Sequence, residues 1–453
     1  MSATALFEPP AIRPPDRQLP FIQNLMTMFD NPMEAWPREM YEAPVYIPPR
    51  RDFRTIYLCD PEALRTVLVD RTEDFPKSPI WLRLLKPMLG EGILTADGAN
   101  WRWQRQAAAP TFQVRHLLNC APPMAAAAER AIDRWRSNGG ISTRDISEDM
   151  VRITFDIILD TIFDGRAEHD VDKMGRMFAQ YLTQLGKPSI ADVLGAPFWL
   201  REMLAPHAME AVRYMRSSVA KMIERRRQSA PREDLIDRLM RAADSETGRA
   251  MGDESLKDNL LTFMAGGHET TALALTWSIF LLSNAPDAQT RVREEAMAVA
   301  GDAPIGAEHV QKLQFTKQVL QEAMRLYPPI PVVNRVCRKA CALAGRAVRP
   351  GDIVVIPVYA LHRHQLYWSN PNAFNPDRFE PGARLDARRY IYMPFGAGQR
   401  ICIGAAFAMM EATIVLATLV RAARFDAEPR PIRPLLRITM RPEGGLPTRI
   451  RLI

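Results

Sequence analysis

The stretch Phe395-Gly396-Ala397-Gly398-Gln399-Arg400-Ile401-Cys402-Ile403-Gly404 brings one cysteine to the beginning of an apolar segment. Glycines allow the backbone to turn tightly and to approach a flat ring system closely. The segment 401–420 has Glu411 as its only charge, so it predicts a helix whose N-terminus would stabilise a thiolate. A lone cysteine is about as often a buried structural residue, but the whole pattern favours a loop that presents a thiolate ligand.

Length and composition are those of a globular protein. The chain has 453 residues, of which 47% are hydrophobic and 25% charged, enough to enclose a cofactor in a core. Because no low-complexity linker or repeat divides it, we predict a single domain over 1–453, with a Pro-rich, irregular N-terminal segment over 1–45.

The charge balance is mildly basic, with 59 Lys plus Arg against 52 Asp plus Glu and a net charge of +7. This favours acidic partners through long-range attraction. The basic residues are scattered along helical stretches without a recognition motif, so we predict no nucleic-acid binding.

Hydrophobic spacing predicts a mainly α-helical body with a small β region. Apolar residues recur at three- and four-residue intervals between about 61 and 301. Strand-like runs occur at 45–47, 55–58, 352–356 and 437–440, which predicts a minor sheet built from both ends of the chain.

The cysteines and the N-terminus indicate the compartment. Five widely spaced cysteines are too few for a disulfide scaffold and predict a reducing environment. Pro and charged residues interrupt 8–17, so we predict neither a signal peptide nor an anchor there. The apolar run 401–420 is interpreted as a core helix rather than a membrane span, because Gly404 and Glu411 interrupt it.

The stretch from about 256 to 284 has apolar flanks around a polar centre, Ala265-Gly266-Gly267-His268-Glu269-Thr270-Thr271. Glycine in a helix interior costs about 1 kcal/mol relative to alanine, and a buried carboxylate costs more unless it is paired. Local inconsistency of this kind predicts a functional segment.

The loop at Cys402 resembles the haem-binding loop of the cytochrome P450 family, Phe-x-x-Gly-x-Arg-x-Cys-x-Gly. Phe395, Gly398, Arg400, Cys402 and Gly404 match every defined position. The resemblance implies that Cys402 ligates the iron of haem b, that Arg400 contacts a haem propionate, and that Phe395 packs beside the thiolate. A thiolate ligand pushes electron density onto the iron and favours O–O cleavage.

The polar centre of 256–284 resembles the oxygen-activation motif of the same family, with Gly266, Gly267, Glu269, Thr270 and Thr271 in place. The resemblance implies that Thr270 takes part in oxygen activation and that Glu269 links it to bulk protons as a relay acid.

Two further motifs match the family. Glu322-Ala323-Met324-Arg325 places a carboxylate and a guanidinium on one helix face, and the resemblance pairs them with Arg378 in a structural lock behind the haem loop. Trp101 and Arg105 lie four residues apart and resemble the helix that grips a haem propionate.

Arg335 resembles another propionate-binding arginine of the family. Together the motifs run from Trp101 to Gly404 in the family's order and imply a triangular, mostly helical single domain that encloses haem b.

The resemblance implies a monooxygenase that uses O2. No flavin- or nicotinamide-binding segment is left unassigned, so electrons should come from a ferredoxin or flavodoxin with its reductase. We expect that acidic donor to dock near Arg102, Arg388 and Arg389, and we expect a cytoplasmic, bacterial enzyme without a membrane span.

The substrate is expected to be a hydrophobic small molecule, such as a fatty acid, a terpenoid or an aromatic compound. Segments near 75–94, 178–200 and 330–333, the helix before Gly266 and the turn near Met440 should contact it. They are mostly apolar, with Phe198 among their side chains. Two alternatives stay open: a peroxide-dependent haem-thiolate peroxygenase, and a non-enzymatic haem-binding sensor. Intact Glu269 and Thr270 argue against both.

Overall fold

A computed structural model of the chain describes residues 6–15, 19–48, 54–162, 171–185, 203, 205–231, 234–382 and 389–453. Most of these residues are helical. The α-helices are α1 Phe21–Asp30, α2 Pro61–Arg65, α3 Pro79–Leu89, α4 Gly98–Ala108, α5 Val114–Leu117, α6 Ala121–Ser137, α7 Ile146–Ile162, α8 Val171–Leu185, α9 Pro206–Gln228, α10 Leu235–Met240, α11 Asp253–Ser283, α12 Pro286–Ala300, α13 Ala307–Val310, α14 Gln314–Leu326, α15 Val358–Leu361 and α16 Ala405–Ala422.

The strands are short and form small sheets. They are β1 Val45–Tyr46, β2 Thr55–Leu58, β3 Ile141–Asp145, β4 Val333–Val336, β5 Cys341–Leu343, β6 Arg346–Val348, β7 Ile353–Ile356, β8 Ala423–Ala427, β9 Pro434–Leu436, β10 Met440–Pro442 and β11 Pro447–Leu452.

The largest sheet has the strand order β1-β2-β7-β4. In it β2 pairs in parallel with β7, Ile56 opposite Val354, while β4 pairs antiparallel with β7. This sheet joins strands near the N-terminus to strands at residues 333–356, as predicted for 55–58 and 352–356. The predicted strand near residue 440 does not belong to it, because β10 pairs with β9 in a separate two-stranded sheet. The other sheets are β3-β11-β8 and the pairs β9–β10 and β5–β6.

Contacts divide the chain into two compact units. Unit 1 comprises Met1–Pro76, Met124–Val151 and Thr270–Ile453, and unit 2 comprises Lys77–Pro123 and Arg152–Glu269. Helix α11 contributes its first half to unit 2 and its second half to unit 1.

Unit 1 has a core built on the four-stranded sheet. Ile56, Leu58, Val354 and Ile356 from β2 and β7 are fully or almost fully buried and belong to one hydrophobic cluster. Helix α16 packs beside α12 and α14 in the same unit. An apolar helix is stable only where neighbouring elements cover it, and α12 and α14 cover α16 in this way.

Unit 2 is helical, with α8 packed on α9 and α3 also in contact with α9. Helix α4 is fixed to the first half of α11, because the Asn259 side chain donates to the Gln104 amide oxygen at 2.7 Å. The Asn259 amide oxygen also accepts from the Ile93 N–H at 3.0 Å, so one buried amide joins three segments.

Among the described residues, one helix, Ala405–Ala422, is long and apolar enough to cross a membrane, and 67% of its apolar window is buried inside the fold. A core helix has the same composition, and the burial of α16 agrees with the prediction of a core helix.

Two predictions about secondary structure were wrong in part. The N-terminal 45 residues contain helix α1, which begins directly after Pro20, so proline ends the irregular stretch rather than extending it. The predicted strand over 437–440 begins only at Met440, because the Arg437 N–H bonds to the Thr439 carbonyl and closes a turn there.

Candidate active site

The loop before α16 holds Cys402 in a defined place. The Cys402 N–H donates to the Phe395 carbonyl at 2.9 Å, which closes the loop on itself. Helix α16 begins at Ala405 with Gly404 as its N-cap, three and two residues beyond the cysteine. The thiol therefore lies at a helix N-terminus, where the helix dipole favours its thiolate form.

Position 398 requires glycine for two reasons, its backbone conformation and the atoms that surround it. Its φ is +73°, and a Cβ at this position would lie 2.0 Å from the Leu68 carbonyl oxygen. No side chain fits this close approach of backbone to backbone. Gly398 therefore lets the loop pack against the segment 66–70 in unit 1.

The Cys402 side chain is exposed, whereas Cys59, Cys120 and Cys337 are buried. A Cβ at Gly404 would lie 4.0 Å from the Cys402 Sγ, and one at Gly396 would meet no atom within 4 Å. The loop thus presents an accessible sulfur on a backbone with few side chains around it. These residues fit a flat macrocycle whose metal takes a thiolate ligand.

Two candidate propionate ligands also belong to unit 1. Arg400 lies in the 3-10 turn Gly398–Arg400 and is half-buried. Arg335 lies on β4, is 9% exposed, and donates through Nη1 to the Asn334 carbonyl at 3.0 Å. A guanidinium held by a strand and another held by the loop can each bind a carboxylate.

The predicted structural lock is formed. Arg325 Nε and Nη2 donate to the two Glu322 carboxylate oxygens at 2.6 and 2.8 Å, and both side chains are fully buried. Arg378 Nε lies 3.4 Å from Glu322, and the Asn375 N–H donates to the same carboxylate at 2.9 Å. Arg325 also donates to backbone carbonyls at His362, Pro371 and Ala373, so one guanidinium fixes several turns of chain.

His362 connects this lock to the loop. Its carbonyl accepts from Arg325 at 2.9 Å, and its Nε2 accepts from the Met393 N–H at 2.8 Å. Burial, reinforced by the nearby Arg325, lowers the pKa of His362 to about 3. The ring is therefore neutral at physiological pH, and its acceptor nitrogen holds the segment that leads into Phe395.

The polar centre of α11 is partly exposed and lies between stretches of the same helix that are buried. Gly266 is exposed and Thr270 is half-buried, while the flanking residues Leu261, Leu275 and Trp277 are fully buried. A Cβ at Gly266 would meet no atom within 4 Å. The helix thus presents Gly266 and Thr270, four residues apart, on one accessible face.

Glu269 and His268 differ in character. Glu269 is 7% exposed and precedes Thr270 directly. His268 is 3% exposed, its Nδ1 lies 3.1 Å from the Met264 carbonyl, and its ring packs edge-on against Phe155 and Phe178. His268 is thus a packed core residue of unit 2.

Trp101 and Arg105 lie on α4 in unit 2, as predicted from their spacing. Trp101 is 8% exposed and Arg105 is half-buried. The Gln104–Asn259 bond fixes the helix between them. The structure thus groups Phe395, Gly398, Arg400 and Cys402 in one loop, Glu269 and Thr270 on α11, and Trp101 and Arg105 on α4, with Arg335 on β4.

Glu411 is a candidate that the sequence reasoning treated only as a charge in a helix. It lies on α16, nine residues after Cys402, and is fully buried. In the described chain, neither Glu411 carboxylate oxygen has a hydrogen bond of good geometry. Burial raises the pKa of Glu411 well above its usual value, and the nearby Thr271 hydroxyl offsets this in part. The sequence feature that could have identified Glu411 is that it is the only charged residue in the apolar segment that follows Cys402.

We predict that Glu411→Gln makes stability less dependent on pH. Because burial raises its pKa, Glu411 keeps its proton in the folded chain to a higher pH than in the unfolded chain, where it loses the proton near pH 4. The contribution of Glu411 to the free energy of unfolding therefore falls by about 1.4 kcal/mol per pH unit from about pH 5 upward, until the pKa of Glu411 in the folded chain is reached. Urea unfolding of wild type and variant between pH 5 and 8 should show their difference growing in favour of the variant. Glu294→Gln, exposed on α12, is the control, and a pH-independent difference for Glu411→Gln would contradict the prediction.

Comparisons with known proteins agree over most of the chain. The family model described as Cytochrome P450 matches residues 14–449. Cyclooctatin synthase from Streptomyces melanosporofaciens is 32% identical over 84% of this chain and 83% of its own. Taurochenodeoxycholic 6 alpha-hydroxylase from Sus scrofa is 29% identical over 88% and 82%. The crystal structure of the cytochrome P450DA haem domain superposes with a TM-score of 0.84 at 24% identity, covering 97% of each chain.

Proposed function

Because this chain belongs to the cytochrome P450 family of haem-containing monooxygenases, we propose that it inserts one atom of O2 into a hydrophobic small molecule, with Cys402 as the axial ligand of haem b. The observation that supports this proposal most directly is the exposed Cys402 thiol in a closed loop at the N-terminus of α16. When bound, the haem supplies the iron that activates dioxygen.

The loop residues hold and tune the ligand. The bond from the Cys402 N–H to the Phe395 carbonyl fixes the backbone that carries Sγ, and the N-terminus of α16 favours the thiolate. Arg400 and Arg335 in unit 1, and Trp101 and Arg105 in unit 2, are the candidates that bind the two propionates. These donors lie on three elements, the loop, β4 and α4, so the contribution of each element can be tested separately.

Thr270 and Glu269 are proposed to move protons. Thr270 provides a hydroxyl on the accessible face of α11 and can donate and accept at Oγ1. Glu269, which precedes Thr270 in the chain, is the acid that returns a proton to that hydroxyl. Gly266, one turn earlier, leaves the space that a small molecule beside Thr270 needs.

We predict that Thr270→Ala keeps haem binding but separates electron use from product formation. Positioned acid–base groups contribute about 10²–10⁴-fold, so product formation should fall by about 10²-fold while reductant is still consumed. The measurement is the ratio of product to reductant consumed, with hydrogen peroxide measured as the alternative outlet. Thr276→Ala is the control, because Thr276 bonds to the Ala272 carbonyl within the same helix and should leave the ratio unchanged. An unchanged ratio in Thr270→Ala would contradict the assigned role.

The substrate is proposed to be an apolar compound of the fatty acid, terpenoid or aromatic type. In unit 2, α3 carries Leu84 and Met88, which are buried, and Trp81 and Leu85, which are half-buried. The two relatives described above are named as a cyclooctatin synthase and a taurochenodeoxycholic 6 alpha-hydroxylase. Phe198 and residues 186–200 lie outside the described residues. A screen for compounds that shift the haem absorption band would identify the class.

The electron donor is proposed to be a ferredoxin or flavodoxin with its reductase, in the cytoplasm. A net charge of +7 attracts an acidic donor, and the five free cysteines suit a reducing compartment. Arg389 is exposed, whereas Arg388 lies outside the described residues.

Arg389→Glu should slow reduction by an acidic donor several-fold at low salt and leave the haem spectrum unchanged. Stopped-flow reduction measures this, with the exposed Arg136→Glu on α6 as the control. Equal reduction rates for wild type and Arg389→Glu would exclude Arg389 from the docking surface.

A further inference from the structure

Arg363 is a buried cation that the proposed activity does not use. It follows α15 by two residues and is 3% exposed. None of its three guanidinium nitrogens has a hydrogen-bond partner among the described residues. Its guanidinium carbon lies 3.9 Å from the centre of the Tyr359 ring and 5.7 Å from that of Tyr327.

Aromatic rings satisfy only part of what a buried guanidinium requires. Cation–π contacts stabilise the charge, but they accept none of its five N–H donors. Buried arginines are normally paired with carboxylates or carbonyls, as Arg325 is in the same unit. Arg363 therefore has donors available for an acceptor that the described chain does not provide.

Arg363 lines a cavity of about 700 Å³ in unit 1. Tyr41 lines it too, is 7% exposed, and its hydroxyl also has no partner among the described residues. Arg13 and Arg38 lie at the same cavity and are exposed, as are Glu8 and Glu42. Three arginines against two glutamates give the lining a positive balance.

The cavity wall is fixed by the tyrosines that flank Arg363. The Tyr359 hydroxyl accepts from the Ile12 N–H at 2.9 Å, and the Tyr327 hydroxyl donates to the Pro10 carbonyl at 2.7 Å. The N-terminal segment 8–14, which lines the cavity, is thereby held in place. Glu42 is 3.9 Å from Arg38 and accepts from Gln365, so it is already engaged at the protein surface.

We propose that this cavity binds a small oxyanion, the carboxylate or phosphate group of a metabolite, through the Arg363 guanidinium and the Tyr41 hydroxyl. A planar guanidinium matches two oxygens of either group, and a phenol adds a third donor. Arg38 and Arg13 would attract the anion to the entrance. The site is separate in sequence from the loop at Cys402 and would act as a binding site of its own.

The test is calorimetric titration of the haem-loaded enzyme with sodium acetate and, separately, with inorganic phosphate, at an ionic strength held constant with sodium chloride. Saturable one-to-one binding of acetate would identify a carboxylate site, and tighter binding of phosphate a phosphate site. Tyr41→Phe should weaken that binding at least about tenfold, since it removes one hydrogen bond to a charged group.

Two further variants complete the design. Tyr57→Phe, on β2 and half-buried, is the matched control and should bind like wild type. Arg363→Gln should abolish binding of the anion. If that variant does not fold, Tyr41→Phe and the exposed Arg38→Gln still test whether the anion binds in this cavity. The proposal is overturned if neither anion binds beyond chloride, or if Tyr41→Phe binds with wild-type affinity.

Discussion

Cys402→Ser should lose monooxygenase turnover by about 10³-fold or more, equivalent to at least about 4 kcal/mol in the activation barrier. A serine oxygen is a far weaker electron donor than a thiolate, so the iron would lose the push that favours O–O cleavage. Haem can still occupy the protein, because the arginine and tryptophan donors are unchanged. The reduced carbon monoxide complex of the variant should lose the red-shifted band of a thiolate ligand.

Cys341→Ser is the matched control for this experiment. Cys341 is also a free cysteine, is half-buried, and lies on β5 rather than in the loop. It should keep the wild-type spectrum and turnover. If wild type itself gave a carbon monoxide band at the position of a non-thiolate ligand, or if Cys402→Ser kept the red-shifted band, Cys402 would not be the ligand.

The second large effect is expected on stability. Glu322→Ala would leave Arg325 as an unpaired cation in a fully buried site, and breaking such a pair costs about 3–5 kcal/mol. Arg325 would keep its bonds to backbone carbonyls, so the loss should come from the missing carboxylate. The free energy of unfolding in urea, followed by helical circular dichroism, measures the change.

The chain contains an almost ideal control for the Glu322–Arg325 pair. Asp133 and Arg136 on α6 are also three residues apart and also lie 2.6 Å from each other, but both side chains are 67% exposed. Asp133→Ala should therefore change stability by less than about 1 kcal/mol. Equal effects of the two substitutions would show that burial does not determine the strength of the Glu322–Arg325 pair.

The sequence could predict those parts of the protein in which the functional residues lie close together on one loop or helix. The loop at Cys402 and the pair Glu322–Arg325 are local patterns, and the resemblance to the cytochrome P450 family set them in order. The family, the mainly helical fold and the monooxygenase class follow, and the comparisons confirm them. Roles of single residues such as Thr270 and Arg335 stay predictions.

What could not be predicted depends on partners far away in sequence. Glu411 looked like an interruption of an apolar run, and only its complete burial shows that its pKa is raised well above the usual value. Arg363 looked like one of many scattered basic residues, and only its tyrosine neighbours from positions 41, 327 and 359 make it unusual. Helix α1 was missed because prolines on both sides suggested an irregular segment.

The parallel pairing of β2 with β7 has a consequence for synthesis of the chain. Residue 55 must wait for its partner, residue 353, to leave the ribosome, which takes about 15–60 s at 5–20 residues per second. During that time β2, which carries the fully buried Ile56 and Leu58, can pair with β1 along one edge, but its other edge has no strand beside it. A nascent chain with an open, apolar edge is prone to aggregation, so chaperone supply and translation speed should limit the yield of this protein.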